Sequence, residues 1–207
     1  MALLFVRHGS SSLNAGDPSD PRDMFRGWTS VPLSDFGRQT VRQTAAWFIG
    51  KPIHMLISSD MPRAAETAQM VGETIGIQPT LDQRLRPWHI GVLTGQVITP
   101  ELKDYINKLQ TTDQNTPVPD GEAYNDFVQR YSSILPDLLR AGQQQNVVVV
   151  AHHRNALALS HMLYNKEPAT EGPPDPGGIA AVTNEGLRPL FTPPAVAVGQ
   201  YKEKASS

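Results

Sequence analysis

Three short, nearly unbroken apolar runs punctuate the chain: Leu3-Leu4-Phe5-Val6, Ile53-His54-Met55-Leu56-Ile57-Ser58 and Val147-Val148-Val149-Val150-Ala151. Runs of this length with little polar alternation predict strands covered on both faces, as in a parallel sheet. Between them the period becomes helical. Val41, Ala45, Phe48 and Ile49 share one stripe across residues 35–49, with Ser34 as N-cap and Gly50 just past the end. Pro62 opens the next helix, where its missing N–H costs nothing, and Gly76 closes it. Residues 100–110 predict a short helix and 111–120 a loop. Residues 122–140 predict a longer helix with Phe127, Tyr131, Ile134 and Leu138 inward, which Pro136 should kink or end early. A helix over 155–164, a proline-rich loop over 166–176 and a hairpin pairing 179–182 with 187–191 across Asn184-Glu185-Gly186 complete the pattern, and the tail from Thr192 has none. Strands alternating with helices predict a three-layer α/β/α sandwich with a mainly parallel sheet. We expect one domain over residues 1–207, a long polar loop over 10–34, and a small insertion at about 92–125 walling one side of a crevice.

Composition narrows the function classes. With 207 residues, 39% of them hydrophobic, the chain can bury a sizeable core. A formal charge of −2 supplies no basic field for nucleic acid or an anionic membrane. The absence of cysteine excludes disulfides, thiolate metal sites and thiol nucleophiles, and suits a reducing compartment. No secretory leader precedes Arg7-His8, and no apolar run is long enough to span a bilayer, so the expectation is a soluble, cytoplasmic protein.

The chemistry sits where the strands end. The first run leads into Arg7-His8-Gly9, the last into His152-His153, and the middle one into a helix whose start carries Arg63. Ligands of open α/β sheets bind at the carboxyl ends of the strands, so Arg7, His8, Arg63 and His152 are the proposed site. Planar guanidinium forks bind phosphoryl oxygens bidentately while staying charged, and a neutral imidazole is a competent nucleophile near neutral pH. Arg7 and Arg63 therefore form the clamp and His8 the nucleophile. Arginines beside His152-His153 would repel a cation, so neither metal nor cofactor is expected. His54 and His161 lack such a setting and read as core or surface residues, Asp60 and Glu66 as capping or orienting groups at a helix start, and Trp28 and Trp88 as packing residues or a ligand wall.

These pieces, in this order, resemble the histidine phosphatase superfamily with its phosphoglycerate-mutase-like fold. The stretch Arg7-His8-Gly9-Ser10-Ser11-Ser12-Leu13-Asn14 is similar to the family's R-H-G-E-T-x-W-N, keeping Arg, His, Gly and Asn. The segment from Arg26-Gly27-Trp28 to Gly37-Arg38 resembles G-W-x-D-x-P-L-T-x-x-G-R, that from Ser58-Ser59 to Thr67-Ala68 resembles S-S-x-L-x-R-A-x-x-T-A, and Val149-Val150-Ala151-His152 resembles V-V-S-H. The likeness extends to about residue 163. It implies a phosphohistidine intermediate on His8, stabilisation of the transferring group by His152, and a phosphate pocket completed by Asn14, Arg26 and Gly27, with His153 beside it.

One departure bears on mechanism. The family's larger branch carries a proton-donating glutamate in L-R-E-x-x-x-G-x-W-x-G; here the segment runs Leu85-Arg86-Pro87-Trp88-His89-Ile90-Gly91, with proline in that place. The other branch carries an aspartate after the second histidine, where this chain has His153. Either His89 or His153 takes over as proton donor, or the leaving group departs unprotonated, as a phosphoramidate, acyl phosphate or phosphoanhydride could. The expected activity is hydrolysis of a phosphomonoester, phosphoramidate or phosphoanhydride, borne by a small phosphorylated metabolite or a phosphohistidine protein. The alternatives are a cofactor-dependent phosphoglycerate-type mutase and a non-catalytic phosphate-ligand-binding protein; a homodimer is left open.

Overall fold

The computed structural model describes residues 1–14, 17, 22–164 and 174–194. Six strands form one mixed sheet: β1 (Leu3–Arg7), β2 (Met55–Ser58), β3 (Thr80–Leu81), β4 (Val147–Ala151), β5 (Ile179–Val182) and β6 (Leu187–Phe191). Their spatial order is β3-β2-β4-β1-β5-β6. The first four are mutually parallel, whereas β5 pairs antiparallel with β1 and β6 antiparallel with β5, so the hairpin closes one edge. Parallel neighbours need crossovers, and six α-helices among the described residues supply the layers: α1 (Asp35–Trp47), α2 (Pro62–Ile75), α3 (Pro100–Thr111), α4 (Tyr124–Ser132), α5 (Leu135–Gln144) and α6 (His153–Tyr164).

The alternation of the pleat divides the core into two clusters. Leu4, Val6, Val148 and Val150 pack with Ala45 and Phe48 near α1 and with Ala64, Ala68 and Val71 of α2. Leu3, Phe5, Val147, Val149 and Ala151 face the other way, onto Phe127, Tyr131, Leu138 and Leu159. Every residue of β4 is buried on both faces, which accounts for its unbroken valine run.

Local chemistry sets the helix limits. Ser34 Oγ accepts the Gly37 N–H and caps α1. Pro62 stands in the first turn of α2, and Gly76 caps its end in the left-handed region at φ 74°. The segment 122–140 is not one helix: α4 ends at Ser132, the residue whose carbonyl the Pro136 ring would strike in a continuous helix. A new helix, α5, starts at Leu135 with Pro136 in its first turn, and Phe127, Tyr131, Ile134 and Leu138 are all buried. The expected stripe on α1 is corrected at Ile49, which is 66% exposed. The helix stops at Trp47 and tightens there, with Phe48 and Ile49 N–H groups donating to the carbonyls of Ala45 and Ala46, so Ile49 is turned outward. The two-residue β3 had no apolar signal, because both its residues are exposed at the sheet edge. Residues 165–173 of the proline-rich stretch and the tail from 195 lie outside the described residues.

Helix α1 crosses the turn after β1 with almost no clearance. A Cβ on Gly37 would stand 1.9 Å from the Ser10 carbonyl oxygen. In an ordinary helix, Gly to Ala gains up to about 1 kcal/mol, but overpacking against backbone costs about 1–3 kcal/mol or more. Gly37→Ala is therefore expected to lower Tm by about 5–10 °C, measured by thermal unfolding; an unchanged or raised Tm would contradict this packing.

Candidate active site

The parallel ladder fixes the site at the carboxyl edge of the sheet. Arg7 is in register with Ala151, and the His8 N–H donates to the Ala151 carbonyl, so His8 and His152 leave adjacent strands side by side. Their ring centroids lie 5.0 Å apart, close to the spacing of neighbouring strands. Ser59, just past β2, donates its N–H to the Val150 carbonyl and stands next in the row.

His8 is 2% exposed. Its Nδ1 lies 2.7 Å from the Gly9 carbonyl oxygen, which can only accept, so Nδ1 carries the hydrogen and Nε2 the lone pair. Burial, then the charges of Arg63 and Arg7, hold its pKa well below the usual imidazole value. The ring is thus neutral at physiological pH, with its nucleophilic Nε2 lone pair turned toward the Arg63 Nε–H. The Gly9 N–H donates to Thr67 Oγ1, which itself donates to the Arg63 carbonyl, clipping the turn after β1 to α2.

Arg63 is 1% exposed. Nη2 donates to the Gly27 carbonyl at 2.8 Å, Nη1 to that of Thr29 at 3.2 Å, and Nε faces His8 Nε2 at 3.4 Å. Arg7 donates through Nη1 to the Pro174 carbonyl, while its buried Nε has no partner among the described residues. Burial first, and Arg26 second, lower Arg7 to about 10 and Arg63 to about 9, leaving both charged at neutral pH. His152 Nε2 is 2.9 Å from Ser59 Oγ, and its buried Nδ1 has no partner among the described residues. Since Ser59 Oγ already accepts the Met61 N–H, its hydrogen can go to Nε2, which leaves the imidazole hydrogen on Nδ1. Burial, then Arg63, keep His152 neutral as well.

These groups line a cavity of about 240 Å³ with Arg26, Gly27, His153 and Arg154. Four arginines, Arg7, Arg26, Arg63 and Arg154, line it, against one acidic residue, Asp23, among the described residues. Arg26 is salt-bridged to Asp23 at 2.9 Å and also donates to the Leu13 carbonyl. An unbonded guanidinium N–H, two neutral imidazoles and a positive wall are a receptacle for phosphate oxygens. Among the described residues no group of three or more His, Cys, Asp or Glu side chains could hold a metal ion, and no helix is long and apolar enough to cross a membrane.

Other expected site residues fall elsewhere. Asn14 does not line the cavity: its Oδ1 accepts both the N–H and the hydroxyl of Ser11, folding the loop. His89 is not among the lining residues either, although its neighbours Trp88 and Ile90 are. Its Nδ1 accepts the Gly91 N–H, and its ring packs edge-on against Trp28 at 4.4 Å. His153 does line the cavity, but burial, then Arg7 and Arg154, lower it to about 3, so at neutral pH it has no proton to donate as an acid. Pro87 forms part of the wall. Its carbonyl accepts from Trp28 Nε1 and from Arg130, whose guanidinium also binds the carbonyls of Arg84 and Arg86 and the Glu122 carboxylate. Trp28 lies under Arg86 and Arg130, while Trp88 walls the cavity. Asp60 does not cap α2 but pairs with Arg86, and Glu66 accepts from the Leu33 N–H and Arg38. Sequence reasoning passed over Arg154, Asp23 and the hydroxyls of Ser59 and Thr67; the one signal for Arg154 was its place directly after the two histidines.

The family model of the histidine phosphatase superfamily, branch 1, matches residues 3–176. A protein from Hydrogenobacter thermophilus carrying a phosphoserine phosphatase name is 29% identical over 153 residues, 72% of either chain. A protein from Salmonella arizonae named for phosphoglycerate mutase is 28% identical over 155 residues, 73% of this chain and 69% of its own. The crystal structure of phosphoglycerate mutase from Thermus thermophilus superposes with a TM-score of 0.69 at 26% identity, covering 95% of this chain and 100% of that one.

Proposed function

This chain belongs to branch 1 of the histidine phosphatase superfamily, and we propose that it is a phosphatase that acts through a phosphohistidine on His8 and takes a small phosphorylated metabolite. The observation that carries the proposal is the neutral His8 ring, with its Nε2 lone pair beside Arg63 and, in the same cavity, the Arg7 Nε that no described residue partners. In the first step Nε2 attacks phosphorus and the ester oxygen leaves with the bonding pair. Arg7, Arg63 and the His152 Nδ1 hydrogen take up the charge on the equatorial oxygens. Water then attacks phosphorus as the P–N bond breaks and its pair returns to Nε2, and the proton lost by the water balances the one taken from solvent by the departed alkoxide, so that phosphate is released and the ring restored. A binding protein would need the arginines but not a nucleophile held with its lone pair inward. A cavity of about 240 Å³ suits a small metabolite better than a protein-borne phosphohistidine. Mutase activity remains the second reading, favoured by the likeness to proteins named for phosphoglycerate mutase. Phosphoryl transfer from the labelled enzyme to an added hydroxy acid, rather than to water, would select it.

The leaving group tests the absence of a usual acid. Pro87 cannot donate a proton, His89 is not among the lining residues, and His153 is neutral. Without proton transfer the departing atom bears the developing charge, so turnover should fall steeply from aryl to alkyl phosphates and be fastest for a phosphoramidate or acyl phosphate. His89→Ala and His153→Ala should leave that slope unchanged. Efficient alkyl phosphate hydrolysis would refute the reactive-leaving-group reading, and its selective loss in Asp23→Asn would make the cavity's carboxylate the acid. No turnover of any phosphorylated compound in a broad screen would refute the phosphatase itself.

A further inference from the structure

Arg154 is built into the cavity without a carboxylate partner among the described residues. It stands in the first turn of α6, its Nη1 donates to Gln110 Oε1 of α3, and its guanidinium lies 5.9 Å from the Trp88 ring centroid. Gln110 is braced in turn by the Tyr124 hydroxyl, and Tyr124 packs edge-on against Trp88. The guanidinium is therefore held in place by neutral groups, and among the described residues no carboxylate pairs with it. Burial lowers its pKa from the ordinary arginine value, as expected of a charge whose compensation is missing.

The position differs from that of the phosphoryl clamp. Arg63 reaches His8 and the carbonyls of Gly27 and Thr29, and Arg7 the Pro174 carbonyl, whereas Arg154 is bonded to Gln110 of α3 and lies against Trp88. Arg26 is already neutralised by Asp23. A phosphoryl dianion against His8 would answer Arg7 and Arg63, leaving the charge of Arg154 beside Trp88 uncompensated. The apolar part of the wall is made by Met24, Phe25, Ile90 and Ile98.

We propose that Arg154, braced by Gln110 and Trp88, forms a second anion subsite, so that the substrate is a small phosphorylated compound carrying a carboxylate or a second phosphate at the far end of a short carbon skeleton. The assignment rests on the phosphatase reading for the first subsite, but binding tests it without turnover. The probes are three non-hydrolysable phosphonates: 3-phosphonopropanoate, its neutral carboxamide, and propane-1,3-diphosphonate. Affinities are measured by calorimetry on the wild type, Arg154→Gln and Arg154→Lys. Wild type should bind the carboxylate or the diphosphonate on the order of 10- to 100-fold more tightly than the carboxamide, the range of a charge-assisted hydrogen bond. Which of the two is preferred identifies the anion. Arg154→Gln should erase that preference, and Arg154→Lys should restore part of it. A wild type without preference, or a preference that survives Arg154→Gln, overturns the subsite. If all three probes bind tightly and equally, the phosphoryl end stands and only the second subsite fails; if none binds, both fail.

Discussion

His8→Ala is expected to abolish turnover, by on the order of 10⁴-fold or more, and with it any covalent labelling of the chain. Brief mixing of the wild type with a turned-over phosphorylated substrate, followed by alkaline quench and mass spectrometry, should find an acid-labile adduct of one phosphoryl group on His8. The substitution should be tolerated structurally. The ring is neutral, so its removal strands no buried charge, and it frees only the Gly9 carbonyl and the weak contact to Arg63 Nε. A far-UV spectrum and a Tm close to wild type would show that lost activity reflects lost chemistry. The low pKa adds a signed expectation for pH. The nucleophile is already deprotonated well below 6.5, so the acid limb of kcat/KM should not fall at the ordinary imidazole value, but should follow the second ionisation of the phosphorylated substrate, near 6 for a phosphomonoester. An alanine variant with activity within tenfold of wild type, or an adduct on another residue, would end the His8 mechanism.

Much of this arrangement was legible because it is carried by local signals. The valine run of β4 reads as a doubly covered strand, the Ser34 cap starts α1, and the residues that follow β1 and β4 must emerge at one edge once those strands are parallel. The register then puts His8 beside His152. What was not legible depends on which way a side chain turns in irregular backbone. Around Pro87 the chain is neither helix nor strand, so no period could say that Trp88 and Ile90 would line the cavity and His89 would pack against Trp28. Asn14 illustrates a different failure: the residue type is right for binding phosphate oxygens, but its amide oxygen is engaged by Ser11 within the same turn. Arg154 was missed because two consecutive histidines draw attention to imidazole chemistry, while its function depends on α3 and Trp88, far away in sequence.

Arg63→Lys is expected to cost about 10³-fold in kcat/KM, although it preserves the charge. The Arg63 guanidinium spans three directions at once, with Nη2 on the Gly27 carbonyl, Nη1 on the Thr29 carbonyl and Nε toward His8. A single ammonium on a flexible stem cannot reach all three, so at least one loop carbonyl loses its donor and the planar face presented to the phosphoryl group disappears. Gly27 sits at φ 41°, in the left-handed region, and its loop depends on that donor to keep its carbonyl turned toward α2. Both consequences should appear in separate measurements. Phosphate or vanadate affinity, titrated as inhibition or by calorimetry, should fall about 10- to 100-fold, from the lost clamp. The rest of the loss should appear in kcat, from the misplaced nucleophile and loop. Arg7→Lys should weaken phosphate binding in the same direction but spare the 27–29 loop, since Arg7 is anchored instead to the Pro174 carbonyl. Arg63→Ala offers a further discrimination: added guanidinium should restore part of the activity if the missing group acts on the substrate, and none if Arg63 only supports the fold. Phosphate affinity and kcat/KM both within twofold of wild type in Arg63→Lys would place phosphoryl recognition outside this cavity.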